Sequence, residues 1–393
     1  MDRVVASLRS SVVTWTDDVF GGLDPVVIAT VVVGTIVLLV VIGALYRHWR
    51  RPKGVRFRQA LAGAEEVSVL MHPNPDPDAM ATAMAVQHLA ELVETTATVQ
   101  YSGQIRHQEN RAFRTVLNLD LDRIESKEDL AADRVVLVDH NEPRGFAGAE
   151  RIDPCAVIDH HPGEGTGSAF TDVRPEYGAC ASIIAEYVEE LGIPVDASEA
   201  SGGNSVGDSL PSDIATGLVY GIRTDTKELT LGITPMDFAA AGFLYPGVDQ
   251  DQLERIANPQ VPEAVLRLKA RAIQEKEVRG SFAVCDLGEI DNIDAISQAA
   301  DELMHLEGVT AVVVYGETDG TVHLSGRSRD DRVHMGQTIE NVVDDISMSE
   351  GGGHARMGGG QISVDHLEGI GPSEGISREE LTDQIFAAMA GER

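Results

Sequence analysis

The sequence predicts an α/β protein: a doubly wound, mainly parallel-sheet domain, then a smaller α/β domain, with one transmembrane helix ahead of both. Three observations predict it. Short apolar runs alternate with amphipathic helical stretches along most of the chain, Asp and His residues stand directly after those runs, and 22 residues near the start carry no charge.

The uncharged stretch runs from Pro25 to Tyr46 and is dominated by Val, Ile, Leu, Ala and Gly. As a helix it spans about 33 Å, the thickness of a bilayer core. Arg47, Arg50, Arg51, Lys53, Arg56 and Arg58 follow it, whereas Arg3 and Arg9 before it stand against Asp2, Asp17, Asp18 and Asp24. This asymmetry predicts a single-pass cell-membrane protein with a short extracytoplasmic segment, 1–24, and everything after Arg47 in the cytoplasm. A cleaved signal peptide would carry its positive charge before the apolar run, and that pattern is absent. Trp49 suits an interfacial anchor.

Candidate strands then fall at Val67 to Met71, Thr98 to Tyr101, Val135 to Val138 and Cys155 to Ile158, with helices at Ala79 to Val93, Ala179 to Leu191 and Ile214 to Arg223. Ile193 to Asp213 is rich in Ser, Gly, Asp and Asn and reads as a surface loop. A helix over Pro262 to Val278 bridges to strands near Phe282, Val312 to Tyr315 and Val322 to Leu324. The expected domains are 60–247 and 279–393, joined by a linker helix region over 248–278.

Composition narrows the partners. The net charge is -32, with five Lys against 26 Arg, and the acid is spread over the whole part after the apolar run. Such a surface repels long nucleic acid in dilute buffer and suits a halophilic setting, where the Debye length falls to about 3 Å at 1 M salt. Cys155, Cys180 and Cys285 have no regular spacing, so neither a disulfide framework nor a thiolate metal site is expected.

In parallel sheets ligands gather past the carboxyl ends of the strands. There this sequence places His72, Asp76 and Asp78; then Asp139 and His140; then Asp159, His160 and His161; and Asp225 with Thr226 follows the helix ending at Arg223. One Asp at such a junction is commonly a helix cap, and Asp78 could cap the Ala79 helix. Several carboxylates at one rim would repel each other without a counter-ion. Imidazole and carboxylate without thiolate favour Mn, Mg, Co or Zn. Two such ions about 3.5 to 4 Å apart can activate a bridging water for attack on phosphorus.

These residues resemble the motifs of the DHH phosphoesterase superfamily, named for the triplet that stands here as Asp159, His160 and His161. The resemblance implies two divalent ions, Mn foremost with Mg or Co as options. One would be held by His72, Asp76 and Asp139, the other by Asp78, Asp139, His160 and Asp225. It further implies that His161 binds the scissile phosphate and that Asp159 orients the histidine pair.

Toward the end, Ser325-Gly326-Arg327-Ser328 follows a strand, and Gly351, Gly352, Gly353 and His354 follow a helix beginning near Val333 and precede a strand-like stretch, Gln361 to Val364. Consecutive Gly amides can approach a phosphate, and Arg327 can grip one bidentately. The pair resembles the DHH-associated nucleotide-binding domain of oligoribonuclease-like, phosphoadenosine phosphate phosphatase-like and cyclic di-AMP phosphodiesterase members, which implies that Arg327, Ser328, Gly351, Gly352, Gly353 and His354 bind substrate. Two positions depart from that branch. Asp139-His140-Asn141-Glu142 looks like the manganese pyrophosphatases, and Met357 is bulky where the glycine motif continues with small residues.

The expected function is metal-dependent hydrolysis of phosphodiester bonds in short oligoribonucleotides or a cyclic dinucleotide. The alternatives are a pyrophosphatase-like hydrolase, a RecJ-like single-strand exonuclease, which needs a basic groove not visible here, and a non-catalytic membrane nucleotide sensor. The expected partners are a small nucleotide or short oligonucleotide, the membrane through one helix and, as an option, a second copy of the chain. No long duplex nucleic acid is expected.

Overall fold

The computed structural model describes residues 51–105, 107–195, 209–344, 346, 349–370 and 375–392, with 30, 31, 33–39 and 41 ahead of them. The expected transmembrane stretch 25–46 therefore lies largely outside the described residues. Those described within it are helical and exposed. Among the described residues no helix is long and apolar enough to cross a membrane. The chain forms two compact units that part between Ala257 and Asn258, with Arg106–Arg111 grouped with the second.

In chain order the first part contains α1 (Lys53–Leu61), β1 (Glu66–Met71), α2 (Pro77–Glu91), β2 (Thr96–Tyr101), α3 (Gln108–Val116), β3 (Asp122–Arg123), β4 (Val135–Val138), β5 (Ala156–Asp159), β6 (Phe170–Val173), α4 (Cys180–Glu190), α5 (Ser212–Asp225), α6 (Pro235–Leu244) and α7 (Gln250–Ala257). The sheet order is β3-β2-β1-β4-β5-β6 and every neighbouring pair is parallel. Both faces are covered, so β4 and β5 are buried throughout and read as unbroken apolar runs with no alternation. Val136, Val138 and Ile158 join the core under α2 and α4, while Leu70, Leu137 and Val157 point to the opposite face.

The order reverses between β1 and β4, which is where such sheets open a crevice at their carboxyl ends. Small residues bring two helices together beside it. A Cβ on Gly217 of α5 would lie 3.6 Å from the Ala81 Cβ, and one on Gly221 would lie 3.0 Å from the Asp78 backbone. This close approach places the end of α5 against the start of α2.

The loop expected over 193–213 lies mostly outside the described residues, which omit 196–208, and α5 begins at Ser212. Two expectations are corrected here. The linker region over 248–278 is divided between the units, because α7 packs with the first and α8 (Glu263–Glu275) belongs to the second. The bridging helix also ends early: Lys276 turns to ψ 138 and β7 (Glu277–Arg279) follows, so Val278 is in a strand.

The second unit continues with β8 (Phe282–Glu289), α9 (Asp294–Leu303), β9 (Ala311–Thr318), β10 (Thr321–Ser328), α10 (Met335–Val343), β11 (Glu350–Gly353), β12 (Met357–Ser363), α11 (Val364–Leu367) and α12 (Arg378–Ala390). Its sheet runs β11-β12-β10-β9-β8-β7, parallel only between β8 and β9. Alternation along β9 sends Val313 and Tyr315 into the core with α10 and α12, and Val312 and Val314 into the core with α8 and α9.

Candidate metal centre

The segment after β1 turns sharply into α2. Asp76 caps that helix by accepting from the Ala79 amide at 3.0 Å, and Pro77 occupies its first turn. Asp78 is thus not the cap of its own helix. It lies inside α2, fully buried, and accepts from the Cys180 and Ala181 amides at 2.6 and 2.8 Å. Its carboxylate caps α4 across the fold, a contact that no sequence spacing encodes.

Asp139 follows β4 in a left-handed conformation, φ 61°, and is 1% exposed. Its two oxygens face different ways. The His72 Nε2 lies 3.4 Å from Oδ2 and 3.6 Å from Asp76 Oδ2. His160 Nε2 lies 3.4 Å from Asp139 Oδ1 and 3.2 Å from Asp225 Oδ2. Three groups whose ligand atoms lie within 4.8 Å of one another result: His72 with Asp76 and Asp139; Asp78 with His160 and Asp225; and Asp139 with His160 and His161. The structure brings together all six residues expected to hold metal.

The ring orientations are set from behind. His72 Nδ1 is 2.9 Å from the Pro73 carbonyl, and His160 Nδ1 is 3.3 Å from the Tyr177 carbonyl, which leaves each Nε2 facing the carboxylates. His161 Nδ1 meets Asp159 Oδ1 at 2.9 Å and its amide donates to the same oxygen at 3.0 Å, so its Nε2 is the nitrogen left for a ligand. The other Asp159 oxygen accepts from Asn141 Nδ2 at 2.6 Å. Asn141 is a positioning group that the sequence signalled only as part of the Asp-His-Asn-Glu stretch. His140 is buried with Nδ1 2.9 Å from the Val138 carbonyl, and burial lowers its pKa to about 4, so it is a neutral packing residue.

The electrostatics fit a cation site. Both Asp139 oxygens and His160 Nε2 are buried with no hydrogen-bond partner, a costly state unless something else completes them. Burial, then repulsion from Asp139 and Asp225, pushes the Asp78 carboxyl well above the usual range. Burial, with Asp76 and Asp139 nearby, raises Asp225 to about 6. Burial works against the charged imidazoles, but the carboxylates outweigh it, raising His72 to about 11 and His160 to about 12. Burial likewise opposes ionisation of Asp139, and the His160 and His72 imidazoles outweigh it and hold its carboxyl low. Protons on two histidines thus occupy places that divalent cations can take, and the hard oxygen and imidazole donors suit Mn or Mg. The three cysteines are free and buried, and none belongs to these groups.

In the second unit Gly351, Gly352 and Gly353 belong to strand β11, paired antiparallel with Gly360, Gly359 and Gly358 of β12. Gly351 faces α10, a Cβ on Gly353 would meet the Met357 carbonyl and Gly358 of β12, and one on Gly352 would meet nothing, so the hairpin offers a bare backbone floor under an open depression of 450 Å³. His354 and Met357 close the turn through an amide-to-carbonyl bond of 2.8 Å, and both side chains are exposed. Arg327 and Ser328, adjacent in β10, point to opposite faces. Ser328 is 6% exposed, donating to the Asp330 carbonyl and accepting from its amide. Arg327 already holds Asp301, through Nε at 2.6 Å and Nη2 at 3.3 Å, and its Nη1 donates to Ser325 Oγ and the Gly326 carbonyl. Its side-on fork is occupied by a carboxylate, and a phosphate gripped there would have to displace Asp301.

Comparison with known proteins matches the DHH family N-terminal domain over residues 66–222 and the DHHA1 domain over 279–370. The chain carries a DHH domain and a DHHA1 domain. The DHH match holds every candidate ligand but Asp225, which lies just beyond it, and the DHHA1 match contains Arg327 and the paired glycines. An uncharacterized protein of Methanocaldococcus jannaschii is 32% identical over 315 residues, which cover 79% of this chain and 60% of that protein. The cyclic-di-AMP phosphodiesterase GdpP of Geobacillus thermodenitrificans is 25% identical over 348 residues, 83% of this chain and 48% of the relative. A probable manganese-dependent inorganic pyrophosphatase of Bacillus cereus is 28% identical over 271 residues, 64% of this chain and 78% of the relative. The chain thus spans about half the length of the first two. The fold is shared with an exopolyphosphatase-related protein from Bacteroides fragilis, at a TM-score of 0.60 and 15% identity over 86% of this chain and 96% of that one.

Proposed function

We propose that this protein is a manganese-dependent phosphodiesterase acting on small nucleotides, with a cyclic dinucleotide or a short oligoribonucleotide as substrate. The observation that carries it is the buried Asp139, whose two unpartnered oxygens face separate imidazole and carboxylate groups. His72, Asp76 and Asp139 would hold one ion, and Asp78, Asp139, His160 and Asp225 the other. Such ions, when bound, supply a water of lowered pKa and neutralise charge at phosphorus.

The chain's own residues do the rest. His161, half exposed and raised in pKa chiefly by its bond to Asp159, presents its Nε2 to a phosphate oxygen. Asp159 and Asn141 keep that ring from turning. In the DHHA1 domain the bare floor beside Arg327 admits a flat group that a side chain would exclude. The similarity to a cyclic-di-AMP phosphodiesterase over most of this chain supports the phosphodiester reading.

A pyrophosphatase reading has its own support, the Asp139-His140-Asn141-Glu142 stretch and the Bacillus cereus relative. The exonuclease and silent-sensor readings have less, since the extended basic stripe is lacking in the sequence and the ligand set is complete. The membrane anchor over 25–46, the cytoplasmic placement of both domains, homodimerisation and adaptation to high salt belong to this proposal as well.

The test is a turnover panel on the full chain with Mn in high potassium chloride: cyclic di-AMP, its linear dinucleotide, a five-nucleotide RNA and pyrophosphate. Cleavage of a phosphodiester substrate is expected, and phosphate release from pyrophosphate alone would overturn the proposal. Asp139→Ala and His160→Ala should each abolish turnover, and full activity in either would remove the metal assignment.

A further inference from the structure

His160 is held from behind by the Tyr177 carbonyl, and that carbonyl belongs to a turn that is itself pinned. The Tyr177 amide donates to the Arg174 carbonyl at 3.0 Å, and the Arg174 amide donates to the Asp159 carbonyl at 2.9 Å. The Arg174 guanidinium takes Asp172 through Nε and Nη2, and its Nη1 donates to Glu186 at 2.8 Å and to the Tyr177 hydroxyl at 2.9 Å. The Tyr177 hydroxyl closes the ring by donating to Glu186.

Asp172 is the hinge of this network and is 3% exposed. Besides Arg174 it accepts from the Tyr187 hydroxyl at 2.5 Å and from Lys53 Nζ at 2.9 Å. Lys53 is the first residue of α1, the helix that follows the apolar run. The same helix is fixed at two more points. The Gly54 amide donates to Glu190 at 2.6 Å, and a Cβ there would stand 2.8 Å from the Tyr187 backbone. Phe57, fully buried, packs at 5.3 Å from the Phe170 ring and 5.6 Å from that of Tyr187.

We propose that α1 is a positioning element for the metal centre: docked through Lys53, Gly54 and Phe57 on β6 and α4, it holds the Arg174–Tyr177 turn that orients His160. A carbonyl behind a ligating imidazole sets the ring that the metal meets, and loss of such partners costs roughly 10- to 100-fold in metal affinity. Displacement of the segment ahead of α1 would therefore be read out at the metal centre. The proposal rests on His160 being a metal ligand.

The test measures Mn affinity by calorimetry on the full chain. Lys53→Met and Gly54→Val undock α1, and Tyr177→Phe leaves α1 in place but frees the turn. Leu121→Ala, a buried change remote from the network, serves as the control for lost stability alone. The expected result is at least about tenfold weaker Mn binding in the folded α1 variants and a smaller loss in Tyr177→Phe, with the control unchanged although its melting temperature falls. Mn affinity within twofold of the parent in folded Lys53→Met and Tyr177→Phe overturns the coupling. A parent chain that binds no Mn overturns the ligand assignment instead, so the two failures are distinguishable.

Discussion

Asp139 combines two requirements at one position. Its backbone is left-handed, which residues with a Cβ enter at a cost that Asp and Asn tolerate best, and its carboxylate must face both imidazoles. Asp139→Asn is thus the substitution that removes charge without adding backbone strain. The imidazoles make a prediction of their own. With His72 raised to about 11 and His160 to about 12, both are protonated at pH 8 before a cation arrives, and both must lose that proton to ligate. Mn binding at pH 8 should release protons from these rings, with any proton held on Asp78 adding to the count, and affinity should climb as pH rises toward the imidazole values. Below pH 6 a further proton on Asp225 should steepen the loss. Calorimetry in buffers of unlike ionisation enthalpy gives the proton count; a count of zero would mean that these rings are not displaced from their protons by the ion.

The glycine hairpin shows what an element can do without side chains. Gly336 at the start of α10 lies so close to Gly353 that an added Cβ would stand 2.4 Å from its backbone carbon. Gly336→Ala should destabilise the DHHA1 domain by about 1–3 kcal/mol and weaken nucleotide binding while Mn binding at the DHH domain stays unchanged. Parallel calorimetric titrations with Mn and with a dinucleotide would separate the two, and equal loss of both would refute the assignment of separate roles. This hairpin also marks the limit of legibility. The strands β1, β2, β4 and β5 could be read because each is a short apolar run, and the Asp and His residues after them could be read because strand ends gather ligands. A strand of three glycines has neither the apolar pattern nor the propensity. Likewise β3 has only two residues, and β6, as long as β4 and β5, reads Phe-Thr-Asp-Val and lacks their apolar run. Asn141 behind Asp159, Tyr177 behind His160 and Asp301 on Arg327 are long-range partners, set by topology and not by spacing.

Across the whole molecule, a charge of -32 means that the folded state works against its own repulsion in dilute buffer. Potassium chloride at molar concentration should raise the melting temperature well above its value without salt, as scanning calorimetry can show; a flat response would remove the salt-adaptation reading. The metal centre sits at the other end of this balance. Its ligands come from the turn after β1, the start of α2 and the ends of β4, β5 and α5, segments that the unfolded chain holds far apart. An ion bound there favours the folded chain by mass action, and its withdrawal leaves the buried carboxylates with the two imidazoles alone. Supply of that ion would then govern how long each copy survives proteolysis as well as how fast it turns over: in a starved cell the protein would be scarce, not merely idle.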